Sequence, residues 1–268
     1  MAAVAEMVIA HPDTEVGEVL SPSQVRTFMD CQARWMFQYL WRLPAPKNSN
    51  LALGIAVHEA LGANFAQKVE SRKDLPADTV AAEFGKSWDQ VLKETEFRDD
   101  ESPGDLKAKG EELVRLYMSE GAPKVQPVAT EIACQESARI GGVKVNLRLD
   151  VLEADGTLVE IKTAAKTPKA IEGPHAIQLA AQVLCTPGAS GRVRVDTLVK
   201  NKTPLLVAVP MDMTQQDLLA PERLYPLAQA GMRSGHYMPN RTSMLCSRRN
   251  CAYWRVCQDE FGGRVEES

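Results

Sequence analysis

From Ser21 the apolar positions recur at helical spacing. Phe28, Cys31, Trp35 and Tyr39 fall on one face. Ser21 is placed to cap this helix, Pro22 suits its first position, and Pro44 and Pro46 close it. A second helix is expected from Leu53 to Val69. Residues 70–120 read as an acidic, exposed helical arm, cut in two by Asp99-Asp100-Glu101-Ser102-Pro103-Gly104. Beyond Pro127 the period changes to two. Strands are expected over Pro127–Ser137, Val143–Leu152 and Thr157–Lys162, with turns at Gly141-Gly142 and Asp155-Gly156. A helix over Ile171–Leu184 and strands over Arg192–Val199 and Leu205–Met211 come next. A helix from Thr214 to about Arg233 follows, then an irregular cysteine-rich tail.

Helices, a β-meander, a helix, two strands and helices again describe an α/β fold: a mixed β-sheet flanked by helices, plus a helical arm. The expected organisation is a flexible acidic leader at 1–20 and a single domain at 21–258. The domain includes the arm at 70–120 and a tail at 240–258, and an acidic end at 259–268 follows it. Composition changes this little. Over 268 residues, 44% hydrophobic and 25% charged positions exclude a disordered or collagen-like chain. No run of 18 apolar residues is present and the start lacks a basic n-region, so a cytoplasmic chain without membrane contact is expected.

A net charge of -4 argues against a polycation that coats nucleic acid, but the charge is unevenly spread. Residues 1–20 carry four acids and no base, and residues 70–120 carry 14 acids against eight bases. Residues 162–202 carry seven bases (Lys162, Lys166, Lys169, Arg192, Arg194, Lys200 and Lys202) against Glu172 and Asp196. A phosphate backbone would be held by that basic stretch, in a salt-sensitive way.

Candidate chemistry lies on the second and third strands. Alternate residues share a strand face, so Asn146, Arg148 and Asp150 point one way, and Leu158, Glu160 and Lys162 form one face of the next strand. The Asp155-Gly156 turn makes the two strands antiparallel neighbours and brings Asp150 close to Glu160. Paired carboxylates repel unless a cation or proton intervenes, and oxygen ligands suit Mg²⁺ or Mn²⁺. The Ile161 carbonyl is a further oxygen. Lys162 is placed to serve an attacking water or developing negative charge. His58, in Gly54-Ile55-Ala56-Val57-His58, is a candidate further ligand.

Cys246, Cys251 and Cys257 cluster, and Cys31 is the candidate fourth thiolate that would tie the first helix to the C-terminal segment. Such a set fits a 4Fe–4S cluster or a structural Zn²⁺. Tyr253 and Trp254 would pack around it or stack on an unpaired base. Cys134 and Cys185 read as buried apolar residues.

In this order, these segments resemble the RecB-like branch of the PD-(D/E)xK nuclease superfamily. Within it they are similar to the iron–sulfur members, the CRISPR-adaptation nucleases and AddAB-type recombination nuclease domains. The resemblance covers Ser21 to Cys257. It implies a restriction-endonuclease-like core and metal-dependent hydrolysis of DNA, as an exonuclease on single strands or DNA ends, in CRISPR adaptation or in phage or bacterial recombination and repair. His58, Asp150, Glu160 and Ile161 would bind one or two Mg²⁺ or Mn²⁺ ions. Lys162 would serve the water, and Cys31, Cys246, Cys251 and Cys257 would hold a structural 4Fe–4S cluster. DNA would meet Gln178, Gln182, Lys166, Lys169, Arg192 and Arg194. The motif tyrosine is replaced by Gln182. A helicase, integrase or recombination partner fits the resemblance. A silent DNA-binding subunit and an iron–sulfur sensor are the alternatives.

Overall fold

The computed structural model describes residues 17–171 and 173–267. In chain order its elements are β1 (Val19–Leu20), α1 (Pro22–Asp30), α2 (Gln32–Trp35), a π-helical turn (Met36–Leu40), β2 (Lys47–Asn48), α3 (Ser49–Ser71), α4 (Ala77–Val91), β3 (Thr95–Glu96) and α5 (Pro103–Glu120). Then come β4 (Pro127–Ala133), β5 (Arg139–Ile140), β6 (Val143–Val145), β7 (Arg148–Glu153), β8 (Leu158–Ala164), α6 (Gly173–Cys185), β9 (Arg192–Val199), β10 (Leu205–Asp212), α7 (Gln215–Arg233) and α8 (Trp254–Phe261). The chain divides into two compact units. Of the described residues, one unit comprises those within 46–134 and 148–218, the other those within 17–45, 135–147 and 219–267.

The unit of residues 46–134 and 148–218 is built on a five-stranded sheet in the order β10-β9-β8-β7-β4. The β8–β9 pair is parallel and the other three pairs are antiparallel, so the sheet is mixed. The alternation of side chains across the strands supplies both faces with apolar residues. Val151, Val159 and Ile161 pack against α3, α4 and α5 through Leu53, Phe65, Phe84, Trp88, Leu113 and Tyr117. Leu158, Val193 and Val195 pack on the other face, against Leu179 of α6. The α/β core with a mixed sheet between helices is as expected.

Helix α3 starts where the Asn48 side chain accepts a hydrogen bond from the Leu51 amide at 2.9 Å. It ends at Arg72, which adopts the left-handed conformation. Ala52, Leu53, Ala56, Val57, Ala60 and Leu61 bury one face of it. Helix α5 comes close to α3 and α4 because Gly110 has no side chain. A Cβ there would lie 2.0 Å from Phe84 Cζ and 2.9 Å from Leu53 Cδ1. Phe84 and Leu53 are wholly buried and have no room to retreat. Gly110→Ala is therefore expected to destabilise the unit by about 1–3 kcal/mol despite alanine's better helix propensity. Urea unfolding of the two proteins measures this. Equal midpoints would mean that the helices separate at no cost.

In the other unit, β1 pairs in parallel with β6 and β5 pairs antiparallel with β6. Trp35 packs between Phe28 and Tyr237, each ring 5.6 Å away. Two expected elements are interrupted here. The first helix breaks at Cys31, whose backbone is extended. The segment after Tyr237 captures its turn: Asn240 donates to the Asp30 carbonyl at 2.8 Å, and Ser243 donates to the Asp30 carboxylate at 2.8 Å. The strand expected over Val143–Leu152 splits because the Asn146 amide donates to the Leu20 carbonyl at 3.0 Å, which draws β6 into this small sheet. Of the expected leader, residues 1–16 lie outside the described residues, and Val19–Leu20 forms β1.

The expected cysteine-ligated region is corrected. Cys31, Cys246, Cys251 and Cys257 line one cavity, but its volume is about 20 Å³. That is room for about one water, far too little for a cluster of metal and sulfide. Among the described residues, no three cysteine sulfurs come within 4.8 Å of one another. Burial pushes the Cys257 thiol up to about 11 and raises Cys251 as well. The 4Fe–4S cluster, its zinc alternative, the iron–sulfur branch assignment and the sensor alternative fall together. Among the described residues no helix is long and apolar enough to cross a membrane.

Candidate metal centre

The site forms where α3 crosses the strands β4, β7 and β8. Val151 and Leu152 of β7 stand opposite Val159 and Leu158 of β8, which brings Asp150 and Glu160 to the neighbouring positions of the two strands. The two carboxylates have different partners. Asp150 Oδ2 accepts the Ile161 amide at 2.8 Å. Glu160 faces α6 with Leu158, and its oxygens are taken up there. Oε1 accepts from Lys162 and, at 2.8 Å, from Gln178, while Oε2 accepts from Gln182 at 3.2 Å.

Beside Asp150 stands His58. Its Nε2 lies 2.6 Å from the Ile161 carbonyl and its Nδ1 3.5 Å from Asp150 Oδ1. A carbonyl only accepts, so Nε2 carries a proton, and in the neutral imidazole Nδ1 then offers its lone pair on the Asp150 side. A backbone carbonyl that fixes the tautomer in this way is the usual support of a metal-ligating histidine. The Ile161 carbonyl is thus engaged by His58.

The third member is Glu131, on β4. Ligand atoms of His58, Glu131 and Asp150 all lie within 4.8 Å of one another, the only such group among the described residues. Glu131 has φ of +51°, rare for a residue other than glycine and a conformation that costs about 1–3 kcal/mol. Arg148 holds it there, donating Nε to both the Glu131 carbonyl at 3.1 Å and its carboxylate at 3.0 Å. The sequence reading missed Glu131. The available signal was an acid inside a strand whose other residues, apart from Thr130, are apolar.

Electrostatics favour a cation at this group. Burial first, and the neighbouring Glu160 charge second, push the Asp150 carboxyl up to about 7. Burial also pushes on Glu160, but the Lys162 ammonium and the Lys162 and Gln182 hydrogen bonds outweigh it and hold that carboxyl below its usual range. Two carboxylates and one imidazole form a donor set that fits a single divalent cation. Glu131→Gln is expected to weaken binding of Mn²⁺ by about 10–100-fold, and Glu160→Gln to weaken it much less. Calorimetric titration compares the two. The reverse ranking would place the cation between Asp150 and Glu160.

The remaining candidates are scattered. Lys166 and Lys169 are exposed beyond β8. Arg192 pairs with Asp155 at 3.0 Å. Arg194 is held by Asp196 at 2.9 Å and Glu153 at 3.3 Å. Gln182 is buried and donates to the Arg148 carbonyl at 2.9 Å as well as to Glu160.

Residues 19–258 match the family model of the PD-(D/E)XK nuclease superfamily. None of the curated proteins is a significant match. Among solved structures, the chain is similar to a protein from Eubacterium rectale described as an exonuclease, with 14% identity over 87% of this chain and 88% of that one and a TM-score of 0.57. SSO0001 matches with 11% identity over 97% of this chain and 94% of that one, at a TM-score of 0.47. An alkaline exonuclease from Laribacter hongkongensis matches with 15% identity over 66% of this chain and 92% of that one, at a TM-score of 0.35.

Proposed function

The chain belongs to the PD-(D/E)XK nuclease superfamily, and we propose that it hydrolyses DNA phosphodiester bonds with one divalent cation held by His58, Glu131 and Asp150. The observation that carries this reading is the convergence of those three ligand atoms beside Lys162. Lys162 is close enough for its charge to act on Asp150. When bound, the cation supplies charge neutralisation at a phosphate and makes water more acidic.

The protein's own groups do the rest. Ile161 fixes both neighbours, its amide holding Asp150 and its carbonyl fixing the His58 tautomer. Arg148 keeps Glu131 turned toward them. Glu160, clamped by Gln178 and Gln182, holds the Lys162 ammonium in place through a charge-assisted hydrogen bond. The Lys162 ammonium stabilises the negative charge that develops on the phosphate as the bond breaks. In this reading Glu160 positions Lys162 and does not contact the cation.

The test is cleavage of end-labelled single-stranded and duplex DNA with Mg²⁺ or Mn²⁺, beside a chelator control. Metal-dependent products are expected, and their size pattern separates attack from an end from internal cutting. Folded protein that cuts neither substrate with either metal would overturn the reading and leave a binding protein.

A further inference from the structure

On α3, His58 belongs to a strip that the buried face leaves partly exposed. Asn50, Gly54 and Gly62 share it at four-residue steps. The strip connects known points of the site. A Cβ on Gly62 would meet Glu131 Oε1 at 3.4 Å, and one on Gly54 would meet Thr163 Oγ1 at 3.6 Å. At the far end, Asn50 Oδ1 accepts from Lys200 Nζ. Lys200 follows β9 directly, and its amide donates to the Ala164 carbonyl at 2.8 Å. It therefore stands at the end of the two parallel strands, one of which carries Lys162.

Two features of this strip are unused by the fold. First, the interior glycine at position 54 costs the helix about 0.5–1 kcal/mol relative to alanine. Packing does not require it, since its Cβ would make only one ordinary contact. Second, Lys200 is half-buried yet makes no ion pair among the described residues. Its partner is a neutral amide. The nearby acid, Glu101, acts on Lys200 through its charge without forming an ion pair, and is itself bonded to Ser49 Oγ at 2.7 Å and the Arg98 amide at 3.0 Å.

We infer that the DNA strand to be cut runs along this strip, over Gly54, with Lys200 and Asn50 holding a phosphate that flanks the scissile one. This inference rests on the nuclease reading above. Asn50 and His58 are eight residues apart, about 12 Å of helix. At about 3.4 Å of rise per nucleotide this spans roughly three to four nucleotides. The missing side chain at Gly54 lets a sugar-phosphate backbone lie close to the helix. The Lys200 ammonium supplies a point charge for the flanking phosphate.

The experiment is equilibrium binding of a labelled single-stranded oligonucleotide to the full chain across a salt series, in chelator so that no cutting occurs. Lys200→Ala and Lys200→Gln are each expected to lower the slope of log affinity against log salt by about 0.7. The glutamine variant keeps a side-chain donor for Asn50, so a folding defect in the alanine variant does not decide the result. Gly54→Leu is expected to weaken binding at least about fivefold at fixed salt, while thermal unfolding confirms that it is folded. A wild-type slope in Lys200→Gln, wild-type affinity in Gly54→Leu, or no binding by the wild-type protein would overturn the inference. Failure of the wild-type protein to cut DNA would overturn only the nuclease reading, because binding is measured without turnover.

Discussion

Asp150→Asn is expected to abolish DNA cleavage, with kcat falling about a thousandfold, and to make the metal-free protein more stable at pH 8. The first effect follows from losing a cation ligand at the reacting centre, about 4 kcal/mol of barrier. The second follows from the Asp150 environment. Burial and the Glu160 charge raise its folded pKa to about 7, against an ordinary 3.8. Between those values the folded protein keeps a proton that the unfolded chain has released. Stability therefore falls as pH rises from about 4 to 7, and the loss persists above 7. Asparagine carries no such charge and still accepts the Ile161 amide. The gain at pH 8 is on the order of 2–4 kcal/mol, and it shrinks toward zero near pH 4. Denaturant titrations at both pH values, in chelator, read it directly. A variant less stable than the wild type at pH 8 would show that Asp150 is satisfied by His58 and the Ile161 amide alone.

Lys162→Met is expected to lower kcat by about 100–1000-fold while affinity for Mn²⁺ stays within about threefold of the wild type. The side chain lies outside the cation's ligand group, and its charge acts on the substrate. Lys162→Arg keeps the charge but changes its shape and reach, so a partial rescue is expected. Removing the ammonium also takes from Glu160 its strongest stabilising neighbour, leaving the two glutamine donors and the weaker influence of His58. The Glu160 carboxyl then rises, and the pH profile of the residual activity moves with it. Rapid single-turnover assays beside calorimetric titration separate the two roles. An equal loss in cation affinity and in kcat would make Lys162 a support of the metal group rather than a donor to substrate.

The extent to which this site is readable from sequence depends on how local its determinants are. β9 at Arg192–Val199 is legible because alternate residues of the eight, Val193, Val195, Thr197 and Val199, are β-branched and leave no competing period. The Asp155-Gly156 turn fixes β7 against β8, so the antiparallel pairing of Val151 with Val159 and Leu152 with Leu158 is legible as well. What the carboxylates do there is not. Strand alternation turns Glu160 toward α6, where Gln178 and Gln182, 18 and 22 residues away in sequence, saturate it. Glu131 joins the site only because β4 pairs with β7 through a register shift and because its own φ is positive. Neither property has a local signature. The cysteines show the opposite failure. Their spacing suggests a shared metal, and they do line one cavity, but the space among them is about 20 Å³ and, among the described residues, no three of their sulfurs come within 4.8 Å of one another. Spacing reports neighbourhood, whereas ligation also needs volume and convergence.

One cation at His58, Glu131 and Asp150 is the centre of the proposed chemistry. Crystals of the protein soaked in Mn²⁺ and measured for anomalous scattering test this most directly. The expected result is a single peak bounded by His58 Nδ1 and the carboxylates of Glu131 and Asp150, with Glu160 still bonded to Lys162, Gln178 and Gln182. A peak between Asp150 and Glu160 that excludes Glu131, or no peak at this group in occupied crystals, would contradict it.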